Sequence, residues 1–450
     1  MLTNLILFVT TFFLLGHFVL KNYLFLEKFF FGLIIFYFAL ILSSLLGQSY
    51  KGFILSIKII SILGFIYFLS ENYIYLNMKE FKKKINFNNI FLSIFFIIIL
   101  FENYIDIKLY SLEAGDALAY WYNKTKFFLF NPGLNFFPKA DYPNFLSSLW
   151  SLSLYNFEND YNSSRIIIPL IFFLGISLVY QKIRLIFLNN NIYLNSILFI
   201  IILIHFSTYT FASNYRFSNS GYADGLLSIF LMIGFLYMYS SIRNYIFSKQ
   251  DYFFGLVFLG ISSSIKNEGL VISTLVFFML NFYFYLFFRK KFLDNSKVLI
   301  INFLVFIIIT CIPVLLSIYL ESIKTLNSNE NISDFINISN LIKLDVHLDR
   351  FYLIMRYFFI NCYYNLEILF PLFLILINKL SISFIRSKLF IIFLLFSVLF
   401  IIYLYSLYIV TAFPFEWHLA TSFNRVFFQF IGIFSLFAFL ILNYKVKDKI

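Results

Sequence analysis

The chain has 450 residues, 61% hydrophobic and only 12% charged, with 68 phenylalanines and a net charge of +12. No soluble globular domain tolerates that composition, so it implies a polytopic membrane protein. The positive balance is spread over short loops and gathers on no soluble face, which argues against nucleic acid as a partner.

Apolar runs of about twenty residues, the length that crosses a bilayer, recur along the whole chain. About thirteen candidate spans (eleven to fourteen) read as helices at 2–20, 29–46, 52–70, 87–105, 164–181, 192–212, 222–241, 252–265, 270–288, 298–319, 351–377, 389–410 and 426–443. The first has no basic leader and no small-residue cleavage site, so it is expected to be retained. Cys311 and Cys362 lie inside apolar runs, where neither a structural disulfide nor a metal cluster is expected. Lys82–Lys84, Arg289–Lys291, Lys379, Arg386, Lys388 and the tail lysines 445, 447 and 449 fall on one side of the alternating map. Retention of Lys and Arg on the cytoplasmic side then places the C-terminus inside and the N-terminus outside. It also places outside the two longest polar loops, 106–163 and 320–350. The organisation expected is a three-helix membrane extension over 1–86, a membrane module over 87–319 and C-terminal helices over 351–450.

Charges at the ends of spans are costly unless partnered, and the external ends collect them. Glu113, Asp116, Lys124, Lys126 and Asp141 lie in the first loop. Arg216 and Asp224 flank the seventh span, Lys266 and Glu268 occupy the next short external turn, and Glu416, His418 and Arg425 precede the last span. Each also has a plain reading. Asp116 and Asp224 are natural helix N-caps, Lys124 and Lys126 reach an interface by snorkelling, and Asp141-Tyr142-Pro143 makes a turn. The run 144–155, with Trp150 and several leucines among serines, reads as an amphipathic helix lying in the membrane interface.

Taken together, Asp116-Ala117 to Trp121 with Lys124 and Lys126, Asp141-Tyr142-Pro143, Gly221-Tyr222-Ala223-Asp224, Lys266-Asn267-Glu268-Gly269, and Trp417 to Ser422 with Arg425 and Gln429 resemble the GT-C superfamily of membrane glycosyltransferases. That group includes the protein O-mannosyltransferases and the bacterial lipid A aminoarabinose transferases. The chain departs from the pattern in two ways. Three spans precede the one that leads into the first loop, and the spacing of Glu113 and Asp116 differs from an adjacent acidic pair.

The resemblance implies a GT-C-like bundle in a bacterial plasma membrane, its active site facing outside, with short interfacial helices in the first loop. The implied reaction is inverting transfer of a sugar from a polyprenyl-phosphate donor to a hydroxyl of a lipid-linked or surface glycan. Asp116 is the expected base, with Glu113 the alternate. Lys124, Lys126, Arg216 and Arg425 are phosphate candidates, and Lys266 belongs to the same substrate-binding set. Asp141, Tyr142, Asp224, Glu268 and His418 are candidate sugar or acceptor contacts. No cofactor and no divalent metal are expected, because lysine and arginine can stabilise the leaving phosphate. The partners are the lipid-linked sugar, the glycan acceptor and membrane lipid. Two other readings fit the composition: an O-antigen polymerase or ligase, whose large loop usually comes later and is arginine-rich, and a transporter or flippase. For the latter, Arg356 and Glu367 would share one helix face, at about 100° per residue.

Overall fold

A computed structural model describes residues 2–20, 23–72, 87–109, 121–130, 143–158, 160–187, 192–212, 215–216, 222–243, 247–323, 337–341, 343–365, 371 and 387–444. The architecture is all-helical apart from one small ribbon. In chain order the helices are α1 (Leu2–Val19), α2 (Phe25–Leu45), α3 (Tyr50–Asn72), α4 (Phe87–Leu109), α5 (Asn123–Phe130), α6 (Phe145–Asn156), α7 (Tyr161–Ser164), α8 (Ile167–Ile186) and α9 (Ile192–Thr208). There follow α10 (Asp224–Arg243), α11 (Lys249–Ile265), α12 (Asn267–Phe287), α13 (Arg289–Asp294), α14 (Ser296–Ile323), α15 (Leu344–Tyr364), α16 (Lys388–Val410) and α17 (Phe415–Leu442). The ribbon pairs Thr210 with Arg216 and Ala212 with Tyr215, antiparallel, just before α10.

Among the described residues eight helices are long and apolar enough to cross a membrane, and two more, Thr3–Val19 and Ile192–Thr208, are apolar but shorter. The chain is therefore a polytopic integral membrane protein. Every expected span overlaps a helix, but the expected count of about thirteen exceeds the eight that satisfy length and apolarity. The physical reasons are visible in two of them: α11 is only 17 residues long, and α15 carries Asp345, Asp349, Arg350 and Arg356.

Helix α10 is the axis of the bundle. All of its residues from Asp224 to Ile242 are buried, because it is apolar around its whole circumference and is packed on by α8, α11 and α17. Phe230 meets Phe30 of α2, Phe145 of α6 and Phe258 of α11 at ring-centroid distances of 5.7, 5.4 and 5.9 Å. In contrast, α14 shows Ile300, Ile301, Leu304 and Ile308 on its surface, the signature of a face turned to lipid.

Helices α1 and α2 cross at two glycines. A Cβ on Gly16 would lie 1.8 Å from the Lys28 carbonyl oxygen, and one on Gly32 would lie 1.8 Å from that of Phe12. Small residues that let backbones touch are how helices associate where solvent supplies no hydrophobic drive. The N-terminal helices are also tied to the bundle by a polar cluster. Lys182 of α8 bridges Glu27 of α2 at 3.4 Å and Asp251 of α11 at 3.0 Å, and the Tyr237 hydroxyl of α10 donates to Glu27. Leu24 N–H also donates to Glu27 at 2.7 Å, which ties down the start of α2.

The two ends of the first loop are held together. Arg165, fully buried, donates to the Ile107 carbonyl at 3.1 Å, and Lys108 bridges Asp160 at 2.5 Å. Burial pushes the Asp160 carboxyl up, but Lys108 and the Ser163 hydroxyl and N–H outweigh it and hold it at about 2, below the ordinary 3.8. A depressed carboxyl contributes stability above its unfolded value and loses it as pH falls through the folded one. Both partners are about two-fifths exposed, so solvent screening keeps the effect below about 1 kcal/mol. The melting-temperature advantage of wild type over Asp160→Asn should therefore be small and should vanish between pH 3.8 and about 2. An advantage that persists below pH 2 would show that the ion pair is not its source.

One expectation is corrected here. The run 144–155 is helical, as α6, but Phe145 to Leu154 are buried on every side. It is therefore packed within the protein and not an amphipathic helix with one face left open. Its serines are hidden because each hydroxyl finds a carbonyl or a partner: Ser148 donates to Phe145 O, Ser151 to Ser148 O, Ser147 to Trp121 O and Ser153 to Ser164 O.

Candidate functional site: a buried acid–cation cluster at the head of α10

Asp224 opens α10 and is completely buried. An isolated carboxylate there would be prohibitively costly, so the fold must bring it partners. Lys266 ends α11 and approaches Asp224 Oδ1 at 2.8 Å. The same ammonium reaches Glu268 Oε1, in the first turn of α12, at 2.9 Å. From α17, Gln429 Nε2 donates to Asp224 Oδ1 at 2.7 Å, and Arg425 Nε lies 3.5 Å from Oδ2. The Arg425 guanidinium stacks on Tyr222 at 3.8 Å from the ring centroid. Two cations thus face two carboxylates, and the four cancel. Burial pushes the Lys266 ammonium down, but Asp224 and Glu268 outweigh it, so its pKa is raised and it stays charged.

The backbone that carries these groups is built for close approach. Lys266 is extended (φ −155°, ψ 150°) between α11 and α12, which breaks one long hydrophobic run into two helices and turns the lysine inward. Gly269 then lets α12 rise against α11, since a Cβ there would meet the Ser262 carbonyl oxygen at 2.0 Å. On α17, the Gly432 N–H donates to Ser228 Oγ of α10 at 3.0 Å. That bond locks α17 to α10 about one turn along α10 from Asp224.

The members differ in access. Glu268 is one-quarter exposed and Arg425 about one-seventh, while Asp224 is sealed. Gln429 is fully buried, and among the described residues its Oε1 has no hydrogen-bond partner. His418, nearer the start of α17, pairs with Thr411 Oγ1 at 2.7 Å and sits beside Tyr408. Tyr408 in turn bonds Ser422 at 2.9 Å. Among the described residues no three His, Cys, Asp or Glu side chains gather to hold a metal. The place between Asp224 and Glu268 that a cation would take is filled by Lys266.

Of the expected site residues, Asp224, Lys266, Glu268 and Arg425 come together, and His418 shares α17 with Arg425. Lys124 and Lys126 lie elsewhere, on α5, which packs against α3 and α6. Lys124 is buried, and Lys126 sits 4.8 Å over the Tyr122 ring. The Arg216 backbone lies in the ribbon ahead of α10. Glu113, Asp116, Asp141, Tyr142 and Glu367 fall outside the described residues. The roles of Gln429 and Tyr222 were not foreseen from the sequence. The signal for both was their place in the same segments as Arg425 and Asp224.

No protein-family model, no curated protein and no solved structure matches this chain.

Proposed function

We propose that the chain is an inverting membrane glycosyltransferase of the GT-C kind, with about thirteen spans in a bacterial plasma membrane and its reaction on the outer face. The observation that supports this reading is the convergence of three sequence segments on one cluster. Tyr222–Asp224, Lys266–Gly269 and Arg425–Gln429 are the segments that carry the resemblance, and Asp224 joins them within 3.5 Å. A merely structural ion pair would not need three chain-distant pieces of one pattern.

In this reading a sugar leaves a polyprenyl-phosphate donor. An acceptor hydroxyl oxygen attacks the anomeric carbon, the bond from that carbon to the phosphate oxygen breaks, and the anomeric centre inverts. The hydroxyl proton passes to Asp116, or to Glu113, as general base. The departing polyprenyl phosphate keeps the electron pair, and its charge is met by cations. Arg425, the accessible cation of the cluster, is the phosphate partner, and Arg216, whose backbone lies in the ribbon ahead of α10, is a second candidate. Asp224 touches no substrate here. It is a positioning residue that holds Lys266 and Arg425 in place. Glu268, the accessible carboxylate, contacts sugar or acceptor hydroxyls, as do Asp141, Tyr142 and His418.

The test is transfer from a radiolabelled polyprenyl-phosphate sugar to an envelope glycolipid fraction by the purified protein in liposomes. Asp116→Asn should lower turnover by about a hundredfold or more, with donor binding retained. Asn caps a helix nearly as well as Asp, so a role as cap alone would leave turnover near normal and would hand the base role to Glu113. Absence of transfer by the wild type from every such donor would remove the whole reading.

Orientation has its own test. With Cys311 and Cys362 replaced by serine, Lys139→Cys should react with an impermeant thiol reagent on intact cells. Lys83→Cys should react only after permeabilisation. The reverse pattern would turn the map over.

A further inference from the structure

A cavity opens at the other end of the bundle. Helices α8 and α10 run side by side in the same direction, since Gly175 packs on Ile229 and Lys182 sits 4.3 Å over the Tyr237 ring. Tyr237 is roughly 20 Å along α10 from Asp224 at 1.5 Å per residue. At that level a cavity of about 670 Å³ opens between α2, α4, α8 and α9, within the range of ligand pockets, about 300–1,000 Å³.

Its walls are of two kinds. Leu92, Phe96 and Phe199 make an apolar body, and the exposed Ile97 and Leu185 stand at its rim, so the mouth faces the hydrocarbon of the bilayer. Ser177, Gln181 and Arg184 line the same cavity from the last turns of α8. The Arg184 guanidinium lies 5.6 Å from the Tyr180 ring centroid. Among the described residues near the cavity, Lys28, Lys182, Arg184 and Arg243 outnumber Glu27 and Asp251, the two carboxylates of the neighbouring cluster.

We infer that this cavity binds an anionic phospholipid of the surrounding bilayer, with an acyl chain along the Leu92–Phe199 wall and the phosphate on Arg184. A guanidinium matches phosphate with paired N–H donors. Basic pockets between membrane helices are a recurrent way of holding lipid headgroups. The apolar mouth selects a ligand that arrives from the membrane with its tail, not a soluble anion. The site is separate from the Asp224 cluster and does not depend on the reaction assigned above.

The full-length protein in nanodiscs should be photolabelled by phosphatidylglycerol carrying a diazirine in its acyl chain, with adducts in the segments 92–97 and 174–185. Arg184→Ala should lower that labelling about tenfold, the effect of one charged hydrogen-bonding partner. Ser177→Trp should block it by filling the cavity, with melting temperatures confirming that both variants fold. Equal labelling of these segments by the phosphatidylcholine probe would overturn the proposal, as would labelling that neither variant changes. Displacement of the probe by polyprenyl phosphate but not by excess phosphatidylglycerol would also overturn it, giving the cavity to a different lipid phosphate.

Discussion

Asp224→Asn should destabilise the folded protein by about 3–5 kcal/mol, the cost of breaking a buried ion pair from one side. The substitution keeps the shape of the side chain and an oxygen for Gln429 and Lys266. It removes a charge that faces both Lys266 and Arg425. Among the described residues Lys266, buried to 3% exposure, then keeps Glu268 alone, and the four-charge cluster moves from neutral to one net positive charge in a medium that cannot solvate it. Adding Lys266→Met should recover most of the loss, because an apolar replacement of a whole buried pair is close to neutral. The measurement is unfolding of the purified single and double variants in detergent. A single variant within about 0.5 kcal/mol of wild type, or a double variant no better than the single, would show that the charges do not depend on one another. The double variant also separates the two roles argued for this cluster: stability should return with it, and sugar transfer should not.

Gly269→Ala should cost about 3 kcal/mol, the upper part of the range for overpacking. Helix propensity points the other way, since alanine is favoured over glycine in a helix by about 1 kcal/mol, so the sign of the result is informative. The new methyl would sit 2.0 Å from a backbone oxygen, that of Ser262, and 3.0 Å from Leu227 Cδ1. A carbonyl within α11 cannot swing aside as a side chain can, so α11 and α12 must part, carrying Lys266 and Glu268 with them. Gly52→Ala is the control. The nearest atoms to its methyl would be in the side chains of Ser49 and Gln48, at 3.3 and 3.4 Å, and stability should stay within about 1 kcal/mol of wild type, on the favourable side. Equal effects at the two glycines would show that the close crossing of α11 and α12 is not what Gly269 is for.

The helices were legible from hydropathy because runs of Phe, Ile and Leu leave few alternatives inside a membrane. The members of the Asp224 cluster were legible as charges at span ends. Their meeting was not, since hydropathy orders helices along the chain and says nothing of which helix lies beside which. Helix α6 was misread for a chemical reason. Serines count as polar in a pattern, yet Ser148 and Ser151 satisfy their hydroxyls on carbonyls one turn back and become compatible with a sealed interior. Glu27, Lys182 and Asp251 gave no sign of their cluster, because nothing in a one-dimensional pattern distinguishes a carboxylate in water from one paired across 155 residues.

That last separation has a consequence for how the protein is made. The α1–α2 hairpin is complete as soon as it emerges, its two glycines already matched. Glu27 waits for Lys182, which is 155 residues further on, and for Tyr237, which is 210 further on. At about 5–20 residues per second of synthesis, the first of these delays is roughly 8–30 s. Throughout that interval the nascent hairpin holds a carboxylate met by the Leu24 N–H, while the side chains of Lys182 and Tyr237 have not been translated. A chain stalled or cut before α8 would keep that charge uncompensated, which gives the quality-control machinery of the membrane a direct mark for an unfinished copy.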